Sequence, residues 1–412
     1  MSNLDIAYLR SNFPMLNKRM HGRPLIYFDS AATTHKPKCV IDEMNNFYRN
    51  SYATVHRAVY ELAAEATSLY ETSRQKIQKF INAAHFEEVI FTKGTTESIN
   101  LVASSFGRSF FNQGDEILIC ETEHHSNIVP WQLICAQTGA VIKVIPCNMD
   151  GEVDLDIISK MISDKSRIIA IAHIANTTGT VHPIKEITAL AHEYGVKVLV
   201  DAAQSISHIK IDVQDLDVDF LAFSGHKAYG PTGIGILYGK KALLEVIPPY
   251  QGGGDMVDKV EFISTTYQKP PLKFEAGTPL IQQAIGLGNA IDFIESIGLD
   301  NIAAWENQLL SYATSRMKEV KGLKIIGNAK EKGAIVSFII EGVHPLDLGT
   351  MLSLKGVAIR TGHLCAQPAL KKFSVTSLAR VSFGIYNTME EIDNFIELLE
   401  EVLLLLRPPM SY

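Results

Sequence analysis

Three consecutive stretches decide the fold: Ile168-Ile-Ala-Ile-Ala172, Pro183-Ile-Lys-Glu-Ile-Thr-Ala-Leu-Ala-His-Glu-Tyr194 before Gly195, and Val196-Lys-Val-Leu-Val200. The first and third are short, apolar and rich in β-branched residues, as strands buried on both faces are. The middle one has helical spacing, with Pro near its start and Gly at its stop. A strand, a helix and a strand in this order form a right-handed crossover that makes the two strands parallel. Residues following each strand then emerge at one edge of the sheet, where open α/β folds bind ligands. His173, Asn176 and Asp201 are brought together at that edge.

Working outward, helical and strand patterns alternate from about residue 60 to 240, which predicts an α/β domain with a largely parallel sheet. Val59, Leu62, Ala63, Ala66, Leu69, Tyr70, Ile77, Phe80 and Ile81 fall at helical spacing and predict an amphipathic helix with a packed face. Val89–Thr92 and Phe220–Phe223 read as further strands. Beyond Pro279 the pattern changes to helical stretches and a few short strands, ending in a helix opened by Thr388 with Glu391 three residues on, a capping box. The expected organisation is an N-terminal segment, 1–20, associated with the small domain, then a large domain over 21–290 and a smaller α+β domain over 291–412. The central sheet of the large domain is mostly parallel, with helices on both faces.

Bulk properties narrow the function classes. The 412 residues are 46% hydrophobic, enough for a large core, and 38 Lys and Arg against 45 Asp and Glu give a formal charge of -7. Without a basic run, no nucleic-acid groove or polybasic membrane patch is expected. No apolar run approaches a membrane span, and Met1–Met15 lacks the apolar core of a signal peptide, so the expected location is cytoplasmic. Five cysteines, Cys39, Cys120, Cys135, Cys147 and Cys365, are an odd number, widely spaced and without a CxxC pair, which argues against a disulfide framework or a zinc site. His124 and His125 near Cys120 make no ligand cluster, so no metal is expected.

Chemistry concentrates in three stretches. Lys93-Gly-Thr-Thr-Glu-Ser-Ile-Asn100 runs from a strand end through Gly94 into a helix, and a helix N-terminus with exposed N–H groups suits a phosphate. By itself that stretch is also an ordinary helix start. The second stretch is more specific. Asp201 ends one strand with Gln204 three residues on, and the strand Phe220–Phe223 runs into Ser224-Gly-His-Lys227. A lysine at a buried strand end is costly unless neutral or paired, and an imine with an aldehyde cofactor is a known use of it. An acidic neighbour is what a pyridine nitrogen needs to stay protonated, while Ser224 and His226 suit a cofactor phosphate.

Over nearly its whole length the sequence resembles the fold-type I pyridoxal-5'-phosphate (PLP) enzymes of the class V aminotransferase group, and within it the SufS-type (group II, NifS-like) cysteine desulfurases. The likeness runs from Tyr27-Phe-Asp-Ser-Ala-Ala-Thr33 and Glu123-His-His-Ser-Asn-Ile-Val-Pro-Trp131 through Phe274-Glu-Ala-Gly-Thr-Pro279 to Arg360-Thr-Gly-His-Leu-Cys-Ala366. The resemblance implies PLP as cofactor, with Lys227 as its Schiff-base lysine and Asp201 on the pyridine nitrogen. It implies that His124 stacks on the ring and acts in catalysis, that Gln204 contacts the phenolic oxygen, and that Thr95, Thr96, Ser224 and His226 hold the phosphate. It further implies a homodimer in which Thr278 reaches the partner's phosphate site, and a substrate carboxylate held by Asn176 and Arg380. Leu364 stands where many relatives have a second His, and Ala202 where many have Gly.

The third stretch decides the reaction. Cys120 reads as a strand residue and Cys135 as a helix residue, both inert. Cys365 instead follows the expected strand Val357–Arg360 in a polar loop with Arg360, Thr361, Gly362 and His363, a setting that favours thiolate and places Arg360 and His363 near substrate. The expected reaction converts L-cysteine to L-alanine and leaves the sulfur on Cys365 as a persulfide, for iron–sulfur cluster assembly. Selenocysteine lyase, a PLP-binding scaffold without turnover, and other class V reactions such as kynureninase are the competing readings. A nucleotide-binding Rossmann enzyme is disfavoured because no G-x-G-x-x-G follows an early strand. Five residues from Arg360 to Cys365 span under roughly 20 Å even when extended. The thiol is therefore expected to stay in a recessed pocket, to which a sulfur-acceptor protein, SufE-like or SufU-like, must come.

Overall fold

A computed structural model describes residues 4–407 of the chain. Its centre is a seven-stranded sheet of β1 (Val89–Thr92), β2 (Glu116–Cys120), β3 (Val141–Ile145), β4 (Ser166–Ala172), β5 (Lys197–Asp201), β6 (Phe220–Ser224) and β7 (Gly235–Gly239). The spatial order is β1-β7-β6-β5-β4-β2-β3. All neighbouring pairs are parallel except those of β7, which runs antiparallel to both β1 and β6. The strand–helix–strand unit read from the sequence is present, as β4, a helix over Ile184–Glu193 and β5. Pro183 sits at the N-cap of that helix, and Gly195 beyond its end has φ +70°, a left-handed conformation cheap only for glycine.

Apolar layers cover both faces of the sheet. One contains Ile169, Ile171, Val198, Val200, Leu221 and Phe223, the other Ile168, Ala170, Leu199, Phe220 and Ala222, so alternate residues of each strand face opposite layers. The long helix Glu61–Phe80 buries Ala63, Ala66, Tyr70, Ile77 and Phe80. Two expected members of its packed face are outside it: Val59 precedes the helix and is fully exposed, and Leu62 points to solvent, about 100° of helical rotation from Ala63. The buried face includes a charge instead. Arg74 is completely buried between Glu275 (Nη1 to Oε1, 2.6 Å) and Glu71 (Nε to Oε2, 2.9 Å), with its guanidinium 4.5 Å from the Phe91 ring centroid. The Glu275 carboxylate also accepts from the backbone N–H of Phe91, at 2.8 Å.

A second sheet combines β8 (Leu323–Ile326), β9 (Ile335–Ile340), β10 (Arg360–Gly362) and β11 (Leu378–Ser382), all antiparallel, in the order β8-β9-β11-β10. Its core takes in Phe338, Val381, Phe383 and the last helix, Met389–Leu406, together with Ile26 and Phe28 from near the N-terminus. That helix has the expected capping box, with Thr388 Oγ1 accepting from the Glu391 N–H and the Glu391 carboxylate accepting from the Thr388 N–H. The single strand expected over Val357–Arg360 is divided. Val357–Ala358 pairs in parallel with Ile26–Tyr27, whereas Arg360–Gly362 pairs with β11. The chain changes sheets at Ile359, where no Gly, Pro, Asn or Asp marks the break.

Candidate active site

Because β1, β2, β4, β5 and β6 run in the same direction, the segments leaving their C-terminal ends meet at one edge. They line a cavity of about 400 Å³ with Thr95, Thr96, His124, Asn176, Asp201, Gln204, Ser224, His226 and Lys227. β10 contributes Arg360, the segment after it closes the cavity with His363, Leu364 and Cys365, and β11 adds Arg380. Of the residues expected at the site, Thr278 is exposed and outside this cavity, and His173, although its backbone N–H donates to the Asp201 carbonyl at 2.9 Å, does not line it.

Burial sets the chemistry of the central pair. Lys227 follows β6 on a tight turn, Gly225–Lys227, and removal from water pulls its amine down from 10.5 to about 8, with Asp201 opposing the shift. Asp201, at the end of β5, is raised by the same desolvation, and its Oδ1 accepts from the Ala203 N–H at 2.9 Å. At the opposite end of the cavity, the helix Thr95–Val102 points its N-terminus at Ser224, whose Oγ lies 2.8 Å from the Thr95 nitrogen and 2.7 Å from Thr95 Oγ1. Glycines permit this approach: a Cβ on Gly235 would lie 2.4 Å from the Gly94 Cα. His226 and His124 are both held neutral by burial, near a pKa of about 4. His124 Nδ1 accepts from the Ser126 N–H at 3.1 Å, which leaves its proton on Nε2.

The residues present fit pyridoxal phosphate. A partly neutral amine, a buried carboxylate and a hydroxyl-lined helix N-terminus share one cavity, and they match an aldehyde, a ring nitrogen and a phosphate in turn. Unsatisfied polar atoms mark the remaining volume: among the described residues Asn176 Oδ1 and Arg380 Nε have no partner although both are buried.

These features accompany a family match. A model for class-V aminotransferases matches residues 26–395. The chain belongs to this family. Its sequence is 50% identical over 393 residues to a probable cysteine desulfurase of Halalkalibacterium halodurans, covering 95% of this chain and 97% of that protein. It is 49% identical to a cysteine desulfurase of Synechococcus elongatus, covering 94% of this chain but 62% of that longer relative. The fold matches the crystal structure of the cysteine desulfurase CsdA (S-sulfonic acid) from Escherichia coli with a TM-score of 0.92 at 38% identity, over 98% of this chain and 100% of that one. As a class-V aminotransferase relative of the fold-type I architecture, it uses pyridoxal 5'-phosphate as its cofactor.

Sequence reasoning missed two groups around Arg360 and Cys365. Asp29 lies between the arginines, with its Oδ2 3.3 Å from Arg360 and Oδ1 3.4 Å from Arg380. Desolvation lowers the Arg380 pKa to about 10, against the pull of Asp29. Asp29 was inside a quoted motif, but its partners are far along the chain and nothing local announced them. The second group is His125, whose backbone N–H donates to the Cys365 carbonyl at 2.7 Å.

Cys365 itself differs from the expectation of a recessed thiol, because in this chain it is exposed at the cavity mouth. The tether is also shorter than expected, since β10 continues to Gly362. Leu364 and Cys365 both have φ +53°, and left-handed geometry costs about 1–2 kcal/mol for each side-chain-bearing residue. Leu364 is buried against Ile326, Leu370, Phe373 and Leu378, which anchors the turn from below. Burial pushes the Cys120 and Cys147 thiols up, to about 11 for Cys147.

Proposed function

We propose that this protein is a cysteine desulfurase in which Cys365 receives the sulfur of L-cysteine while L-alanine is released. The observation that carries the reading is that the Cys365 thiol borders the same cavity as Lys227 and Asp201. Neither a transaminase nor a hydrolase of this family needs a nucleophilic thiol beside the lysine.

Lys227 would hold the cofactor and, as a free neutral amine, would take the proton from the substrate Cα. Asp201 would keep the ring nitrogen protonated. The bound cofactor supplies an electron sink for the charge left on that carbon. Arg380 holds the substrate carboxylate with its planar fork, and Asn176 offers the one Nδ2 proton that the Leu364 carbonyl does not use. Cys365 thiolate attacks the substrate sulfur, forming a sulfur–sulfur bond as the carbon–sulfur bond breaks. His124 or Lys227 then delivers protons to both Cβ and Cα of the carbon fragment, and alanine leaves. Arg360 and His363 flank the thiol.

Support for a homodimer comes from the phosphate end. Thr278 lies outside its own cavity, while Thr95, Thr96, Ser224 and His226 also border a second opening with Tyr250 and Gln251, which a partner subunit's loop could fill. The persulfide passes to a SufE-like or SufU-like acceptor protein for iron–sulfur cluster assembly in the cytoplasm. No helix among the described residues is long and apolar enough to cross a membrane. The short tether from Gly362 supports an acceptor that comes to the thiol. The three-part organisation expected from the sequence, with boundaries after residues 20 and 290, is retained as part of the proposal.

The test is to add L-cysteine to the purified yellow protein and quantify alanine and protein-bound sulfur. Equal amounts of alanine and of acceptor-transferable sulfur support the reading. A protein that binds pyridoxal phosphate yet forms no alanine refutes it.

A further inference from the structure

The Cys365 turn combines two left-handed residues with a helix that has no cap of its own. The helix Gln367–Lys372 is preceded by Ala366, whose side chain cannot accept a hydrogen bond, so the first N–H groups of the helix need partners from elsewhere. The Gln367 N–H finds one in the ring of His125, whose Nε2 accepts it at 3.1 Å. Together with the bond from the His125 backbone N–H to the Cys365 carbonyl, at 2.7 Å, this grips the chain on both sides of the Cys365–Ala366 step. His363 Nδ1 accepts from the Cys365 N–H at 3.1 Å, and Asn176 Nδ2 donates to the Leu364 carbonyl at 2.8 Å. His125 differs from those two because it does not line the cavity.

We propose that His125 is a positioning residue for sulfur transfer, which stands in for the missing helix cap and thereby fixes the Cys365 thiol against the substrate sulfur. This rests on the reading of Cys365 as the sulfur acceptor. The ring acts through one acceptor atom. In the neutral imidazole the proton sits on Nδ1 and the lone pair on Nε2 faces the Gln367 N–H. Glutamine places Oε1 the same number of bonds from Cα as Nε2, whereas asparagine is one bond shorter. Rescue by glutamine and not asparagine therefore identifies the bond.

The test uses the full-length holoenzyme and its His125→Ala, His125→Asn and His125→Gln variants. Cofactor absorbance, the absorbance change on adding L-cysteine, and the single-turnover rate of sulfur appearing on Cys365 are followed separately. All variants are expected to keep the cofactor and its response to L-cysteine. Ala and Asn slow sulfur transfer by about tenfold or more, as a misplacement of reacting atoms does, while Gln stays within about threefold, the loss of a fraction of one hydrogen bond. Wild-type rates in His125→Ala, or equal losses in His125→Gln and His125→Ala, overturn the proposal. A wild-type protein that forms alanine without sulfur on Cys365 overturns the reading beneath it.

Discussion

Asn176 donates from Nδ2 to the carbonyl of Leu364 at 2.8 Å, so a residue lining the Lys227 cavity also holds the chain one position before the thiol. In the proposed reaction, substrate binding and thiol placement are linked through this one amide. Asn176 is buried, and its Oδ1 has no partner among the described residues.

Replacing Asn176 by Asp removes the donor and sets a carboxylate against the Leu364 carbonyl. The variant is expected to lose at least about tenfold in alanine formation, the equivalent of roughly 1–3 kcal/mol for an unpaired buried group. Its cofactor absorbance is expected to stay normal because Asn176 is not among the residues proposed to hold the cofactor. Unchanged kcat and KM in Asn176→Asp would show that the amide links nothing.

Lys227 gives a pH prediction with a definite sign. Burial lowers its pKa to about 8, and imine formation needs the neutral amine. Capture of pyridoxal phosphate by cofactor-free protein should therefore rise about tenfold from pH 7 to pH 9 and then level off. Asp201 opposes the shift, so Asp201→Asn moves the midpoint lower. Stopped-flow absorbance measures both, and a midpoint near the ordinary lysine value of 10.5 contradicts the account.

The buried Arg74–Glu275 pair makes a stability prediction. Glu275→Gln removes the buried one of the two carboxylates that pair with Arg74 and leaves only the partly exposed Glu71, at a cost of about 3–5 kcal/mol in urea unfolding. Asp215→Ala removes only the exposed partner of Lys185 and should leave the unfolding curve unchanged. Because Glu275 opens the segment that carries Thr278, Glu275→Gln should also weaken cofactor retention. Equal unfolding curves for the two variants would mean that the buried pair is not anchored as described.

Much of this was legible in the sequence because the strands are buried on both faces. Continuous apolar runs such as Ile168–Ala172 have few competing readings, and parallel strands send Asp201, Lys227 and His124 to a single edge. Long-range charge pairing was not legible. Arg74 sits in a helix whose other buried residues are small or apolar, and its partner Glu275 is 201 residues further on. Asp29 likewise carries no local sign of Arg360 and Arg380. The division at Ile359 escaped because Val357-Ala358 and Arg360-Thr-Gly362 join with no turn residue between them. Val59 failed for a simpler cause: periodicity was extended past the point where the helix begins, at Glu61.

The central claim, that sulfur passes through Cys365, is tested most directly by one turnover of L-cysteine without any acceptor, followed by mass analysis of the protein. The account predicts one alanine per loaded site and a single added sulfur atom confined to the peptide containing Cys365. It also predicts that Cys365→Ala retains its cofactor but forms neither product. Full alanine formation by Cys365→Ala, or sulfide released with Cys365 unmodified, would contradict it.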